Sequence, residues 1–299
     1  MPQAVSIEEY AVPDRESGPY AVTTGPDNAL WFTMVRAGRI GRMTTTGEVT
    51  SYPLEPATGA PTVIVAGPDG ALWFTEYQRH RIGRITTTGE VRSFDVLTAD
   101  AGPYGLAAGP DGAVWFTEIN ADRIGRITTT GEVTEFPLPM TGAFPSAIAA
   151  GADGGMWFTM NQAHAIGRIE TTDGTISFYP LPTADAAPVG IAASATDGSL
   201  WFVEIGAGQV GRISPGGTIE EFPLPDRQAR PHAVTVDAVG DAWFTEWAGN
   251  RIGRITPAGQ VDRHPLPTAG SEPHGITVGP DGAIWTALEI GVIARLPPA

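Results

Sequence analysis

The sequence predicts an all-β fold, a seven-bladed β-propeller of four-stranded antiparallel blades, and three observations predict it. Tryptophan recurs as Trp31, Trp73, Trp115, Trp157, Trp201, Trp243 and Trp285, at intervals of 42, 42, 42, 44, 42 and 42 residues. Within each interval, four short β-prone runs alternate with turns rich in Gly, Asp and Pro. The last copy stops after its third run, while the chain opens on a run that resembles the missing fourth. Four strands repeated at this period mark a propeller blade.

The third copy gives the elements in order. GLAAG (105–109) is an inner strand that would line the central channel, and PDG is the turn after it. AVWFTE (113–118) is the second strand and RIGRIT (123–128) the third; a TTGE turn then leads into VTEFPLP (133–139), the outer strand. Trp, Phe and Ile recur at fixed places in these runs and read as packing between blades. The 44-residue interval holds one extra residue in TTDGT (171–175) and one in SATDGS (194–199), both in turns, where insertions are tolerated. IEEYAVP (7–13) matches the outer strands and would complete the last blade beside IGVIARL (290–296), closing the ring. No stretch sustains a 3.6-residue period, which excludes an α-solenoid. Residues 1–299 are read as one propeller domain.

Composition narrows the function. A chain of 299 residues, 42% hydrophobic, can bury a large core, and its 38 Gly and 27 Pro fall at the turns of the repeat. A net charge of −15 argues against nucleic acid or an anionic membrane surface as partner. The arginines form no compensating patch, being spread one or two per copy as in RIGR at 39–42, 81–84, 123–126 and 251–254. With no cysteine there is no disulfide framework, thiolate nucleophile or thiolate metal site. MPQAVSIEEYAVPDRESG at the start lacks the charged and apolar regions of a secretion signal, and nowhere do 18 apolar residues run together. A cytoplasmic protein is expected, and a monomer, because a closed ring leaves no sheet edge that demands a partner.

The repeat supplies its own control: what recurs is architecture, and what departs is a candidate for function. Two series are expected at one mouth of the channel. The residue after the proline that opens each inner strand is Tyr20, Thr62, Tyr104, Ser146, Val189, His232 and His274. The residue three past each Trp is Met34, Glu76, Glu118, Met160, Glu204, Glu246 and Leu288, with Glu289 one further on. The departures gather in the last two blades, where His232 and His274 stand side by side. Glu272 lies two residues before His274, in a slot held elsewhere by Gly18, Ala60, Gly102, Phe144, Ala187 and Arg230. Tyr20, Tyr104 and Trp247 add large rings to this face and could pack against an apolar ligand. His80, His164 and His264 are expected on the solvated surface. Nucleophile-elbow, phosphate-loop and zinc-protease motifs are all missing.

Neutral imidazole accepts a proton near pH 7, and two glutamates offer the hard oxygens that suit Mg²⁺. Proton abstraction and metal-assisted hydrolysis both remain open on these grounds.

RPHA (230–233), followed 42 residues later by EPHGI (272–276) and then by the W-x-A-x-E element at 285–289, resembles the streptogramin B lyase family, also called virginiamycin B lyase. The resemblance covers essentially the whole chain. It implies an enzyme that linearises cyclic depsipeptide antibiotics by elimination at the threonyl ester. It further implies His274 as general base, Mg²⁺ held through Glu272 and Glu289, and His232 orienting the substrate. Two other readings stand beside it. A metal-dependent lactone hydrolase would want several Asn, Asp and Glu oxygens around one ion, yet the four asparagines, Asn28, Asn120, Asn161 and Asn250, all lie outside the Pro-x series. A non-catalytic propeller would bind a peptide or protein at its rim.

Overall fold

A computed structural model describes residues 6–298. Seven four-stranded antiparallel sheets form the blades, whose inner strands begin at Pro19, Pro61, Pro103, Pro145, Pro188, Pro231 and Pro273. Strand Glu8–Ala11 pairs with Val292–Leu296, from Glu8 opposite Arg295 to Ala11 opposite Val292, so the ring closes as the repeat predicts. Each sheet ends on an inner strand that lines the channel and on an outer strand of only four or five residues. Two short 3₁₀ turns, Ala57–Gly59 and Tyr77–Arg79, depart from the all-strand pattern. Among the described residues no helix is long and apolar enough to cross a membrane.

The recurrent residues have identifiable tasks. Trp31 packs with Ile64, Leu72 and Phe74 of the following blade, whereas Phe32 packs with Trp285 of the preceding one. Burying a Phe contributes about 1.5–3 kcal/mol, and six of them are fully enclosed. The ring of Phe32 lies on Gly41, where a Cβ would come within 2.2 Å of it. That contact explains the glycine of RIGRI. In the last blade Thr286 replaces the Phe and pairs with Ala294 in place of the Gly, a compensated exchange of volume. The PDG aspartate accepts from the indole and holds the third-strand arginine: Asp27 lies 2.9 Å from Trp31 Nε1 and 2.6 Å from Arg42 Nε. The arginines are thus tied blade by blade.

The histidines outside the mouth are more engaged than a solvated surface requires. Nδ1 of His80 accepts from Gly102 N at 3.2 Å, and Nδ1 of His164 accepts from Ala187 N at 3.2 Å, pinning links between blades. His264 takes the outer-strand aromatic position and stacks on Trp243 at 5.7 Å, as Tyr52 stacks on Trp31. Its flat ring serves the packing, and its Nε2 is buried without a partner.

Candidate active site

The backbone decides which side chains reach the mouth. Every inner strand is bulged just after its opening proline: Pro273 pairs with Leu288 and Ile276 with Thr286, leaving His274 and Gly275 together across from Ala287. A bulge re-aims its side chains, and here it carries Tyr20, His232 and His274, each at the same place in its blade. The residue two positions earlier is left-handed in all seven blades, and Glu272 has φ 51°. A residue other than glycine is costly there, and such strain collects at functional sites.

The second expected series is corrected by one residue. Glu118 and Glu204 are fully buried, and Glu76 accepts from Ser93 Oγ of its own outer strand at 2.6 Å. Side chains alternate along a strand, so these glutamates turn away between blades and the next position faces the mouth. That position is held by Val35, Tyr77, Ile119, Asn161, Ile205, Trp247 and Glu289. Its N–H donates to the carbonyl of the left-handed residue in six blades, including Trp247 to Arg230 at 3.1 Å and Glu289 to Glu272 at 3.4 Å. Glu289 therefore occupies a regular mouth position, directly opposite Glu272.

The structure brings the predicted residues together where the last blades meet the first. The His232 and His274 rings meet edge-on with centroids 4.6 Å apart. Tyr20 stacks on His274 at 4.4 Å, and its hydroxyl lies 2.5 Å from that of Tyr104. Trp247 sits 6.4 Å from the His274 ring. His274 Nε2 is 2.6 Å from one oxygen of Glu289, whose other oxygen is held by Arg36. Sequence reasoning missed Arg36, which reaches Glu289 from 253 residues away across the seam of the ring.

Burial, joined by the positive charge of Arg36, pushes His274 down to about 4, and burial followed by His274 pushes His232 down to about 3. Both imidazoles are neutral near pH 7. Burial and Tyr104 hold the Tyr20 phenol well above its usual range. Nδ1 of His232, Nδ1 of His274 and Nε1 of Trp247 are buried with no partner. Orphaned polar atoms of this kind call for an explanation, and three around one histidine mark where polar groups of a ligand would go. Glu272 and Glu289, both half-buried and joined by the backbone bond above, bring two carboxylate residues to the mouth. Such a pair fits Mg²⁺, which takes one or two carboxylates and keeps water or substrate oxygen for its other positions. Among the described residues no group of three or more His, Asp or Glu is arranged to hold a metal ion.

Beside this polar sector lies an apolar one. A cavity of about 470 Å³ opens at the mouth between Tyr20, Tyr77, Tyr104, Ile119, Phe144 and Ile205. The channel below offers about 250 Å³. Ligand pockets run to roughly 300–1,000 Å³, a range that includes the mouth cavity and not the channel below it.

Comparison with known proteins identifies a family. A segment of 53 residues is 58% identical to the virginiamycin B lyase of Saccharopolyspora erythraea, spanning 18% of this chain and 18% of that relative. A solved virginiamycin B lyase from Staphylococcus aureus is 40% identical and superimposes with a TM-score of 0.94 over 98% of this chain and 99% of its own. A catalytically inactive His-to-Ala form of that enzyme, solved with quinupristin, gives the same score, identity and coverage. The virginiamycin B lyase family model matches residues 5–296. With its whole propeller matched in sequence and in three dimensions, this chain belongs to the virginiamycin B lyase family, and so to a family of lyases.

Proposed function

We propose that the chain linearises streptogramin B antibiotics by Mg²⁺-dependent elimination at the threonyl ester, and so inactivates them. The observation that carries the reading is His274, a neutral imidazole fixed on three sides by Tyr20, His232 and Glu289 at the rim of an apolar cavity. The inactivation of a relative by a single His-to-Ala change, in a structure with quinupristin, supports it.

The 2.6 Å approach of a Glu289 oxygen assigns the imidazole proton to Nε2 and leaves the lone pair on Nδ1. Nδ1 takes the α-proton of the esterified threonine. The electron pair becomes the Cα=Cβ bond, the Cβ–O bond breaks and the carboxylate departs, leaving a dehydro-amino-acid end. Glu289 stabilises the imidazolium as it forms, and the leaving carboxylate needs no strong acid. His232 orients the ester beside His274, while Tyr20, Tyr104 and Trp247 pack on the macrocycle and yield enough to uncover Nδ1. Mg²⁺ held by Glu272 and Glu289 would supply Lewis-acid charge at the lactone group. The protein acts as a cytoplasmic monomer in this reading, its outer edges being short.

The test is mass spectrometry of a streptogramin B incubated with the purified protein, with Mg²⁺ and with EDTA. The expected product is linear, equal in mass to the substrate, dependent on Mg²⁺ and slowed roughly a hundredfold to ten-thousandfold by His274→Ala. A product heavier by one water would replace elimination with lactone hydrolysis. Binding of the antibiotic without turnover would leave a non-catalytic propeller.

A further inference from the structure

We infer that Arg36 and a divalent cation compete for the same oxygen of Glu289, so that Arg36 sets how tightly the site holds its cation. The inference rests on the metal-assisted reading above. Glu289 offers two oxygens, one engaged by His274 Nε2 at 2.6 Å and the other by the Arg36 guanidinium. A cation coordinated at the second oxygen would stand in contact with a like charge, so the guanidinium must leave before the cation settles.

Arg36 is built to leave. Its side chain is 54% exposed, against 16% for Glu289, and belongs to the first blade whereas Glu289 belongs to the last. It also has a second seat. Arg36 lines a surface cleft with Asp14 and Glu16, two carboxylates on the link between the closing strand and the first blade. The movement needed is a change of side-chain rotamer, with the backbone still tied by Arg36 N donating to Ser17 O at 3.0 Å. Glu289 is in effect handed between an internal cation and an external one, and the displayed metal affinity is the balance of the two. Because the internal pair is partly exposed, the balance is modest: removing Arg36 should tighten cation binding about fivefold.

The experiment is calorimetric titration of the full chain with Mg²⁺, paralleled by electron paramagnetic resonance with Mn²⁺. Arg36→Met is expected to tighten both about fivefold. Asp14→Asn with Glu16→Gln removes the second seat and is expected to weaken binding, an effect that disappears in the Arg36→Met background. Unchanged or weaker binding in Arg36→Met overturns the competition. Equal weakening by the acidic pair in both backgrounds overturns the exchange. Wild-type protein that binds neither ion sinks the metal reading and this inference together, whereas ion binding indifferent to Arg36 sinks this inference alone.

Discussion

Gly275 has no room for a side chain: a Cβ would lie 2.6 Å from Ala21 Cα and 2.9 Å from the Tyr20 carbonyl oxygen. The missing Cβ lets the first blade close on the last and lays the Tyr20 ring on His274. Gly275→Ala should push that ring away and lower kcat by up to about a hundredfold, the scale of a one-ångström misplacement. Tyr20→Ala should act similarly, whereas Tyr20→Phe, which keeps the ring and loses only the hydroxyl contact with Tyr104, should stay within about threefold. Steady-state kinetics decide; equal losses for Tyr20→Phe and Tyr20→Ala would move the role from ring to hydroxyl. Much at this scale was legible in the sequence. His232 and His274 stood out against the five other copies of their slot, and Glu272 against the six others of its own. Arg36 was not legible, since its meaning lies in a contact between opposite ends of the chain.

Strands and turns were legible because apolar alternation and glycine fix them locally. The bulge was not, being a property of register between two strands, and the off-by-one placement of the buried glutamates follows from the same blindness. One device recurs between elements. Thr33 Oγ1 accepts from Ala21 N inside its own bulge at 3.0 Å and donates to the Thr62 carbonyl of the next blade at 2.8 Å. Thr245 does the same for Ala233 and His274. Val203 and Ala287 stand at this position before the bulges of His232 and Tyr20, which lack the tether. The buried glutamates supply a measurable pH effect. Burial and then the charge of Glu135 push Glu118 up to about 8, and burial and then Glu221 push Glu204 up to about 8. Both carboxyls are protonated in the folded protein near pH 7 and ionised in the unfolded chain. Their stabilising effect is full below the ordinary carboxyl value and is lost as pH rises through about 8. Thermal denaturation should show Tm falling between about pH 5 and 9, with a flatter slope in Glu118→Gln/Glu204→Gln. An identical slope in the double variant would mean that these carboxyls stay ionised.

The ring as a whole is held shut by four residue pairs, Glu8 to Ala11 against Val292 to Arg295, and by Glu9 accepting from Thr268 of the preceding link at 2.6 Å. Removing residues 1–11 would leave Val292–Leu296 as an open apolar edge. Tm should drop by more than about 5 °C, and the truncated chain should aggregate on warming; a Tm within error of the full chain would show that the clasp is dispensable. Closure was readable from the sequence because the outer-strand phrase appears at the wrong end of the chain. Tyr20 and Arg36 are separated along the chain from His274 and Glu289 by five intervening blades, so the mouth sector where they meet exists only when the ring is closed. A cut that releases the last blade would carry off His274 and Glu289 while leaving Tyr20 and Arg36 behind.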